Sequence, residues 1–262
     1  ATIARMTGSR RKDLPMPRRF AIASVSCFCS LLTAQTTWTV PTNAPTLQAA
    51  IDQAQPGDTI TTLANYIDAG NVVLGKAVTL LGCRVHCGDN QFGLRINGIA
   101  GGSRIELRNC TIVNIGDGFF GNGLTPIEAL SINLPATAAG SIVFDNVHAF
   151  GGVAKSGPTD SAALHVRALG SATLVARNCT FTGRDGAPLF YQSSGEFGPP
   201  GGHACVIDGG ATGVFQDCVF VGGLGGMGTA SSMQLLAGSQ GGAGILASSN
   251  TALVRCSVTD GE

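Results

Sequence analysis

The sequence predicts an all-β fold in which short strands stack as successive repeats. The 262-residue chain contains 38 glycines and only 12% charged residues, a composition that suits frequent turns and close packing. Apolar residues alternate along short segments, as Leu164 and Val166 do, and this is the period of a β-strand. A similar phrase also recurs, as RIELRNCTIVN at 104–114, ATLVARNCTFT at 172–182 and GVFQDCVFV at 213–221.

Five segments share this phrase and align with one another. They cover residues 94–114, 128–152, 162–186, 203–226 and 242–261. Their equivalent positions, spaced 37, 32, 39 and 38 residues apart, are Cys110, Val147, Cys179, Cys218 and Cys256. Each unit reads as a strand, a Gly/Ala/Ser turn, a second strand, a corner at Asn or Asp, a third strand and a variable loop.

Helical solenoids and β-propellers have similar periods, but the repeats fit neither. They contain no segment of helix length, and the single tryptophan, Trp38, lies outside them, whereas propeller blades have four strands and usually a Trp signature. Three strands and a corner per unit predict a right-handed parallel β-helix of roughly five to seven coils.

The segment PTLQAAIDQAQPGDTI at 45–60 predicts a capping helix. Its apolar residues Leu47, Ala50, Ile51 and Ala54 fall on one helical face, which suits a helix laid over the open end of the first coil. This segment, followed by Tyr66 and KAVTLLG at 76–82, resembles the entry of secreted pectin-lyase-like β-helix proteins. The resemblance covers roughly 38–262 and implies the fold, but it does not specify an activity.

The Asn or Asp of each phrase is expected to form the corner. Asn109, Asn146, Asn178 and Asp217 tolerate left-handed backbone geometry, and stacked repeats would align them into a side-chain ladder. The cysteine that follows should then point inward. Residues two positions later, predicted to share its face, are Ile112, Phe181, Phe220 and Val258.

Residues 1–34 differ from the rest of the chain. They hold six basic residues and one acid, and an apolar run occupies 20–32, so we expect a secretory signal peptide that starts at Met16 and is cleaved near Ala34. The alternative is a buried N-terminal helix. Residues 35–262 form the predicted β-helix domain, which we expect to be truncated because the chain stops at RCSVTDGE, just past the third strand of a coil, without a capping segment.

The predicted domain is mildly acidic, with ten basic and fifteen acidic residues. It lacks a basic stripe, which argues against nucleic acid as a partner, and no segment is apolar for long enough to predict a stable membrane span. Seven cysteines remain after removal of the signal peptide. Cys83 and Cys87 can pair only if the chain folds back between them, and the alternative is a metal site with His86.

In the family that the chain resembles, the substrate groove follows the strand after the variable loop. Carried onto this sequence, that strand is LRIN, LSIN, LHVR, CVID and ILAS. Alternation predicts two exposed columns. The first contains Arg95, Ser131, His165, Val206 and Leu246, and the second contains Asn97, Asn133, Arg167, Asp208 and Ser248.

His165, Arg167 and Asp208 are the predicted catalytic residues. An exposed His beside Arg and Asp suits acid–base chemistry on a uronic-acid sugar. The alternative is that Arg167 and Asp208 form a surface ion pair and His165 is a solvated strand residue. The remaining polar residues of the columns, predicted to bind substrate, are Arg95, Asn97, Ser131 and Asn133.

We therefore expect a secreted or cell-surface protein that binds extracellular polysaccharide. One alternative is a polysaccharide lyase, glycoside hydrolase or epimerase acting on uronic-acid polymers, and another is a structural or adhesive stalk of a larger surface protein. We expect no cofactor and assign no metal ligands. Calcium is the ion that such a face would take, although the columns supply only the Asp208 carboxylate.

Overall fold

The computed structural model describes residues 35–88, 91–115, 128–152, 162–185, 201–208, 211, 213–225, 241–248 and 251–261. The predicted signal peptide, residues 1–34, lies outside the described residues. Within the described ranges the chain forms one helix and 20 strands. The predominance of strands confirms the predicted all-β class.

The helix α1 spans Leu47–Gln53. The strands of the entry segment are β1 (Thr37–Val40), β2 (Thr59–Thr62), β3 (Val72–Leu74), β4 (Thr79–Leu81) and β5 (Arg84–Cys87). The strands of the first three repeats are β6 (Leu94–Ile96), β7 (Ser103–Arg108), β8 (Thr111–Asn114), β9 (Leu130–Asn133), β10 (Gly140–Asp145), β11 (His148–Phe150), β12 (Leu164–Ala168), β13 (Thr173–Arg177) and β14 (Thr180–Thr182). The strands of the last two repeats are β15 (Cys205–Ile207), β16 (Gly213–Gln216), β17 (Val219–Val221), β18 (Ile245–Ala247), β19 (Thr251–Val254) and β20 (Ser257–Thr259).

These strands form three sheets, and every strand pairing is parallel. Sheet A has the order β1-β2-β4-β7-β10-β13-β16-β19, sheet B the order β5-β8-β11-β14-β17-β20, and sheet C the order β3-β6-β9-β12-β15-β18. From β3 onwards the chain visits sheets C, A and B in turn, so each predicted repeat adds one strand to each sheet. The fold is therefore an all-parallel β-solenoid, whereas its handedness and number of coils stay predictions.

The helix α1 packs against the first strands of the solenoid, β1, β2 and β3. The Thr46 side chain caps it by accepting a hydrogen bond from the Ala49 amide at 3.1 Å, and its predicted apolar face is buried. Gln48 also reaches the first strand of sheet C, where its Oε1 accepts from the Val73 amide at 2.7 Å. This bond satisfies a backbone donor that no preceding strand pairs among the described residues.

The Asn and Asp corners have the predicted left-handed backbone. Asn109, Asn146, Asn178 and Asp217 have φ angles of 54°, 55°, 54° and 53°. The Asn146 amide donates to Asn109 Oδ1 at 2.8 Å, which forms one rung of the expected ladder. The next rung is displaced, since Asn178 donates instead to Asp145 Oδ1 at 3.3 Å.

The cysteines after these corners point into the core. Cys110, Cys179 and Cys218 are buried, and the described cysteines carry free thiols, so the Cys83–Cys87 disulfide that the sequence left open is not formed. Burial raises the pKa of Cys87 to about 12. A high pKa disfavours the reactive thiolate at this position.

Aromatic rings fill the solenoid core beside the later cysteines. The Phe181 and Phe220 rings stack with centroids 5.4 Å apart, and Phe215 meets Phe220 edge to face at 5.3 Å. Val258 occupies the next equivalent position on β20, but it is 46% exposed. The prediction that Val258 shares this buried face is therefore wrong in its burial, because no described residue covers the last strand.

Glycines form a backbone-only layer at the corner between sheets B and C. Gly223 donates to the Gly202 carbonyl at 2.9 Å, Gly242 donates to Gly223 at 2.8 Å, and Gly261 donates to Gly242 at 2.9 Å. In this layer, segments that leave sheet B alternate with segments that enter sheet C. A β-carbon at Gly242 would overlap the Gly202 carbonyl, so the close approach requires glycine.

We expect Gly242→Ala to lower the free energy of unfolding by about 1–3 kcal/mol, because the added methyl group must push two backbones apart. Gly101→Ala is the matched control, since a β-carbon there has no neighbour within 4 Å. Denaturant unfolding of both variants measures the difference. Equal stability of the two variants would contradict the role of the glycine layer.

We expect Asn146→Ala to cost about 1–2 kcal/mol of stability, because alanine is strained in the left-handed conformation of this corner. Asn146→Gly separates the conformation from the ladder bond, since glycine accepts the backbone angle but lacks the amide. Thermal unfolding should rank the glycine variant above the alanine variant. The reverse order would show that backbone strain does not decide the choice of residue here.

Candidate functional site

The outer face of sheet C carries the first predicted column in register. Arg95 pairs with Ser131, and Ser131 pairs with His165 on the next strand. Leu130 and Leu164, their neighbours in sequence, are buried in the core. Strand alternation therefore places these polar residues on the outer face, as predicted.

The middle of this column is buried rather than exposed. His165 is only 2% exposed, and Ser131 and Val206 are also buried, whereas Arg95 is half-buried and Leu246 is exposed. The prediction of an exposed His165 is therefore wrong. Three consecutive residues of β12 and all three residues of β15 are buried, so both faces of these strands are shielded from solvent here. Side-chain alternation in a sequence predicts which residues point outward, but it does not predict whether that outer face is exposed.

A β-bulge removes Arg167 from the second predicted column. The register shifts between Val166 and Ala168, so Asn133 pairs with Ala168 and Arg167 is the extra residue. A bulge re-aims a side chain, and Arg167 forms an ion pair with Glu128. The predicted alignment of Arg167 with Asn133 is therefore wrong.

His165 bridges two carboxylates. Its Nδ1 lies 2.6 Å from Glu128 Oε1, and its Nε2 lies 2.8 Å from Asp208 Oδ2. The alternative of an Arg167–Asp208 ion pair is wrong for the described residues, because Arg167 pairs with Glu128 instead. We call Glu128, His165, Arg167 and Asp208 the His165 cluster.

Glu128 is the member of the His165 cluster that the sequence prediction missed. Backbone hydrogen bonds align the positions just before the sheet C strands, and these positions are occupied by Phe92, Glu128, Ala162, His203 and Ala243. Two ionisable residues, Glu128 and His203, therefore stand in a column that also holds alanine. This departure from the repeat is the signal that would have identified both.

The members of the cluster differ in exposure. The Glu128 and His165 side chains are buried, whereas the Arg167 side chain is 38% and the Asp208 side chain 49% exposed. Glu128 Oε2 is also buried and has no hydrogen-bond partner among the described residues. A ligand would therefore meet Arg167 and Asp208, with His165 and Glu128 behind them.

The ionisation of the buried pair follows from its contacts. Burial alone would raise the pKa of Glu128, but the hydrogen bond from His165 and the charges of His165 and Arg167 lower it below its usual value. Burial alone would lower the pKa of His165, but its contacts with Glu128 and Asp208 raise it. Both shifts favour the charged forms, the Glu128 carboxylate and the His165 imidazolium.

His203, the second ionisable residue in the column just before the sheet C strands, is held neutral. It is buried, and its Nδ1 accepts a hydrogen bond from the Ala243 amide at 2.8 Å. Burial lowers the pKa of His203. A proton on Nδ1 would also face the Ala243 N–H, so neutral His203 carries its hydrogen on Nε2.

Of the residues predicted to bind substrate, Arg95, Asn97 and Asn133 reach solvent, whereas Ser131 lies on the outer face but is buried. The Arg95 guanidinium lies 4.0 Å from the Phe92 ring centroid, and its Nε donates to Ser131 Oγ at 3.4 Å. Asn97 and Asn133 are exposed. No carboxylate pairs with Arg95 within the described part of the chain, so its charge is available to an anion.

No group of three or more His, Cys, Asp or Glu in the described ranges is arranged to hold a metal ion. In the same ranges, no helix has the length and apolar character that crossing a membrane requires. Comparisons with protein-family models, curated proteins and solved structures return no match to the chain. The assignment of this site therefore rests on its geometry.

We expect the free energy of unfolding to fall as the pH rises through the folded-state pKa of His165. That pKa lies above the usual 6.5, so the stabilisation is complete below pH 6.5 and is lost above the raised value. Its size is about 1.4 kcal/mol for each unit between the folded and unfolded pKa. Denaturant unfolding at a series of pH values measures this slope.

Glu128 produces the opposite slope in acid. Its pKa is lowered, so its stabilisation is present above the usual 4.5 and is lost as the pH falls through the folded-state value. His165→Gln should remove the slope at high pH, whereas the control His148→Gln, on β11 of sheet B, should preserve it. A high-pH slope that persists in His165→Gln would assign it to another group.

Proposed function

We propose that this protein binds an extracellular polysaccharide along the outer face of sheet C. The observation that carries the proposal is the in-register column of Arg95, Ser131 and His165, with Arg167 and Asp208 reaching solvent beside it. Neighbouring strands lie about 4.8 Å apart, so the accessible groups Arg95, Arg167 and Asp208, which lie on or directly after different strands of sheet C, are separated by multiples of this distance. Regular spacing suits a polymer of repeated sugar units.

The charges of this face favour acidic sugars. Arg95 is held by Phe92 and Ser131 and has no carboxylate partner among the described residues. The Arg167 side chain is 38% exposed despite its ion pair with Glu128. Guanidinium groups recognise carboxylates through paired hydrogen bonds, so a polymer that contains uronic acid is the preferred ligand class. The predicted signal peptide supports an extracellular ligand.

Turnover of such a polymer by a lyase, hydrolase or epimerase is the second candidate. The contact between His165 Nε2 and the half-exposed Asp208 favours turnover, because His165 can donate a proton to, or accept one from, a carboxylate that a sugar can reach. Glu128 is buried, so the described face presents one accessible carboxylate of the cluster rather than the pair that a glycoside hydrolase uses. Binding is therefore the better supported function.

We expect Arg95→Ala to weaken binding of polygalacturonate by about tenfold to a hundredfold, because a charge-assisted hydrogen bond contributes about 1.5–3 kcal/mol. The matched control is Arg177→Ala, which removes an exposed arginine from β13 in sheet A. Isothermal titration calorimetry of both variants measures the effect. Equal weakening by both variants would reflect general charge rather than binding on sheet C.

The same polymer tests turnover when unsaturated products, reducing ends and changes of sugar configuration are followed. Turnover that is lost in both His165→Ala and Arg167→Ala would support the second candidate. Binding without any of these products would support the binding function alone. Neither binding nor turnover across a panel of acidic and neutral polysaccharides would overturn both and leave the structural stalk.

A further inference from the structure

Glu128 joins the two cations of the cluster through a single oxygen. Its Oε1 contacts both His165 Nδ1 and the Arg167 guanidinium, while Oε2 has no hydrogen-bond partner among the described residues. The described hydrogen bonds of the Glu128 side chain therefore all go to the cluster. Glu128 does not fasten any other described part of the solenoid through its carboxylate.

The geometry around His165 suits a doubly protonated ring. Both ring nitrogens lie within hydrogen-bond distance of carboxylate oxygens. An ionised carboxylate accepts hydrogen bonds but cannot donate one, so each nitrogen must carry a hydrogen. With both carboxylates ionised, the ring is therefore an imidazolium as long as both contacts hold.

We propose that Glu128 is a positioning residue that keeps His165 charged, so that an anionic polysaccharide binds this face only while His165 holds its second proton. This inference rests on the proposed binding function and adds its regulation by pH. Glu128 acts through His165 and Arg167, since it is itself buried away from a ligand.

The charged groups around His165 balance one another. Glu128 faces it from the segment before β9, Arg167 lies on its own strand, and Asp208 follows β15. The neighbours in its column, Ser131 on β9 and Val206 on β15, are uncharged. The segment before β15 contributes His203, whose charge would oppose that of His165 but which is held neutral by burial and by the Ala243 amide. Two anions and two cations leave the cluster without net charge.

Loss of the second proton changes both charge and geometry. A neutral ring has one N–H, so it can donate to only one of the two carboxylates. Arg167 still pairs with Glu128, which leaves the half-exposed Asp208 as the carboxylate that can turn to water. The cluster then carries one net negative charge beside the bound polymer, and this charge repels an acidic sugar. By linkage, a bound anionic polymer must in turn make His165 hold its proton more tightly.

We expect Glu128→Gln to lower the pKa of His165, which NMR titration of the imidazole between about pH 5 and about pH 9 would report, with His165→Gln identifying the signal. Glu106→Gln is a matched control, because Glu106 is another buried carboxylate that contacts two cationic side chains, in its case Arg104 and Arg108. It should leave the titration unchanged. Glu128→Asp retains the charge and should restore part of the shift.

Binding of polygalacturonate by the same proteins tests the second half of the inference. We expect the parent protein to bind polygalacturonate at least about tenfold more weakly above the pKa of His165 than below it. In Glu128→Gln, this loss of affinity should occur at a lower pH. If Glu128→Gln fails to fold, Asp208→Asn replaces it in this test. The substitution is at a half-exposed site and should also lower the pKa of His165, because it removes the carboxylate beside Nε2. Glu106→Gln should follow the parent.

The outcomes separate this inference from the proposed function. An unchanged His165 titration in Glu128→Gln, or polymer binding that does not depend on the charge of His165, would overturn the inference while binding itself stands. A titration that shifts as expected in a protein that binds polygalacturonate at no pH would overturn the ligand half of the inference and the preference for acidic polymers. The positioning role of Glu128 would then still be supported.

Discussion

Parallel hydrogen bonding between successive repeats is the constraint on which the rest of the structure depends. Each strand from β3 to β17 pairs with its equivalent in the next repeat, so apart from the bulge in β12 a residue meets the same position of its neighbour. The backbone groups are satisfied by this pairing, whatever the side chains are. Length variation in the repeats is therefore confined to connections, and the longest follow sheet B and precede sheet C.

Register converts local requirements into columns. A left-handed corner in one repeat stands against a left-handed corner in the next, which is why Asn, Asn, Asn and Asp recur there. A small inward residue after the corner leaves room for the phenylalanine rings of the core. The glycine layer follows the same logic, since outgoing and returning segments contact through their backbones and each position must lack a side chain.

The candidate site is built from departures from this regularity. Glu128 stands just before β9, at a position that holds alanine in two other repeats, and one extra residue in β12 turns Arg167 towards Glu128. A buried carboxylate and a buried imidazolium are unfavourable alone, but each offsets the cost of burying the other when they are paired and hydrogen-bonded. The result is a buried pair behind two partly exposed ionic groups, a division that suits recognition of a charged polymer.

The connection between buried and exposed groups also gives the site its response to pH. His165 lies between a carboxylate that cannot reach water and one that can. The buried carboxylate fixes the orientation of the ring, and the exposed one transmits the charge of the ring to the surface. Because the charge of a histidine changes with pH, His165 makes the charge next to a ligand on the outer face of sheet C depend on pH.

The sequence by itself determined the strands, the corners, the capping helix and the inward cysteines, because each follows from a local period or from the backbone preference of one residue type. It also placed Arg95, Ser131 and His165 in one column, since repeats of known alignment fix the register. Only the tertiary structure decided that His165 is buried, that Arg167 lies in a bulge and that Glu128 joins them. These contacts link residues 37 to 43 positions apart through their side chains, and covering of an outer face, bulge position and side-chain direction are not encoded in the period of any single repeat.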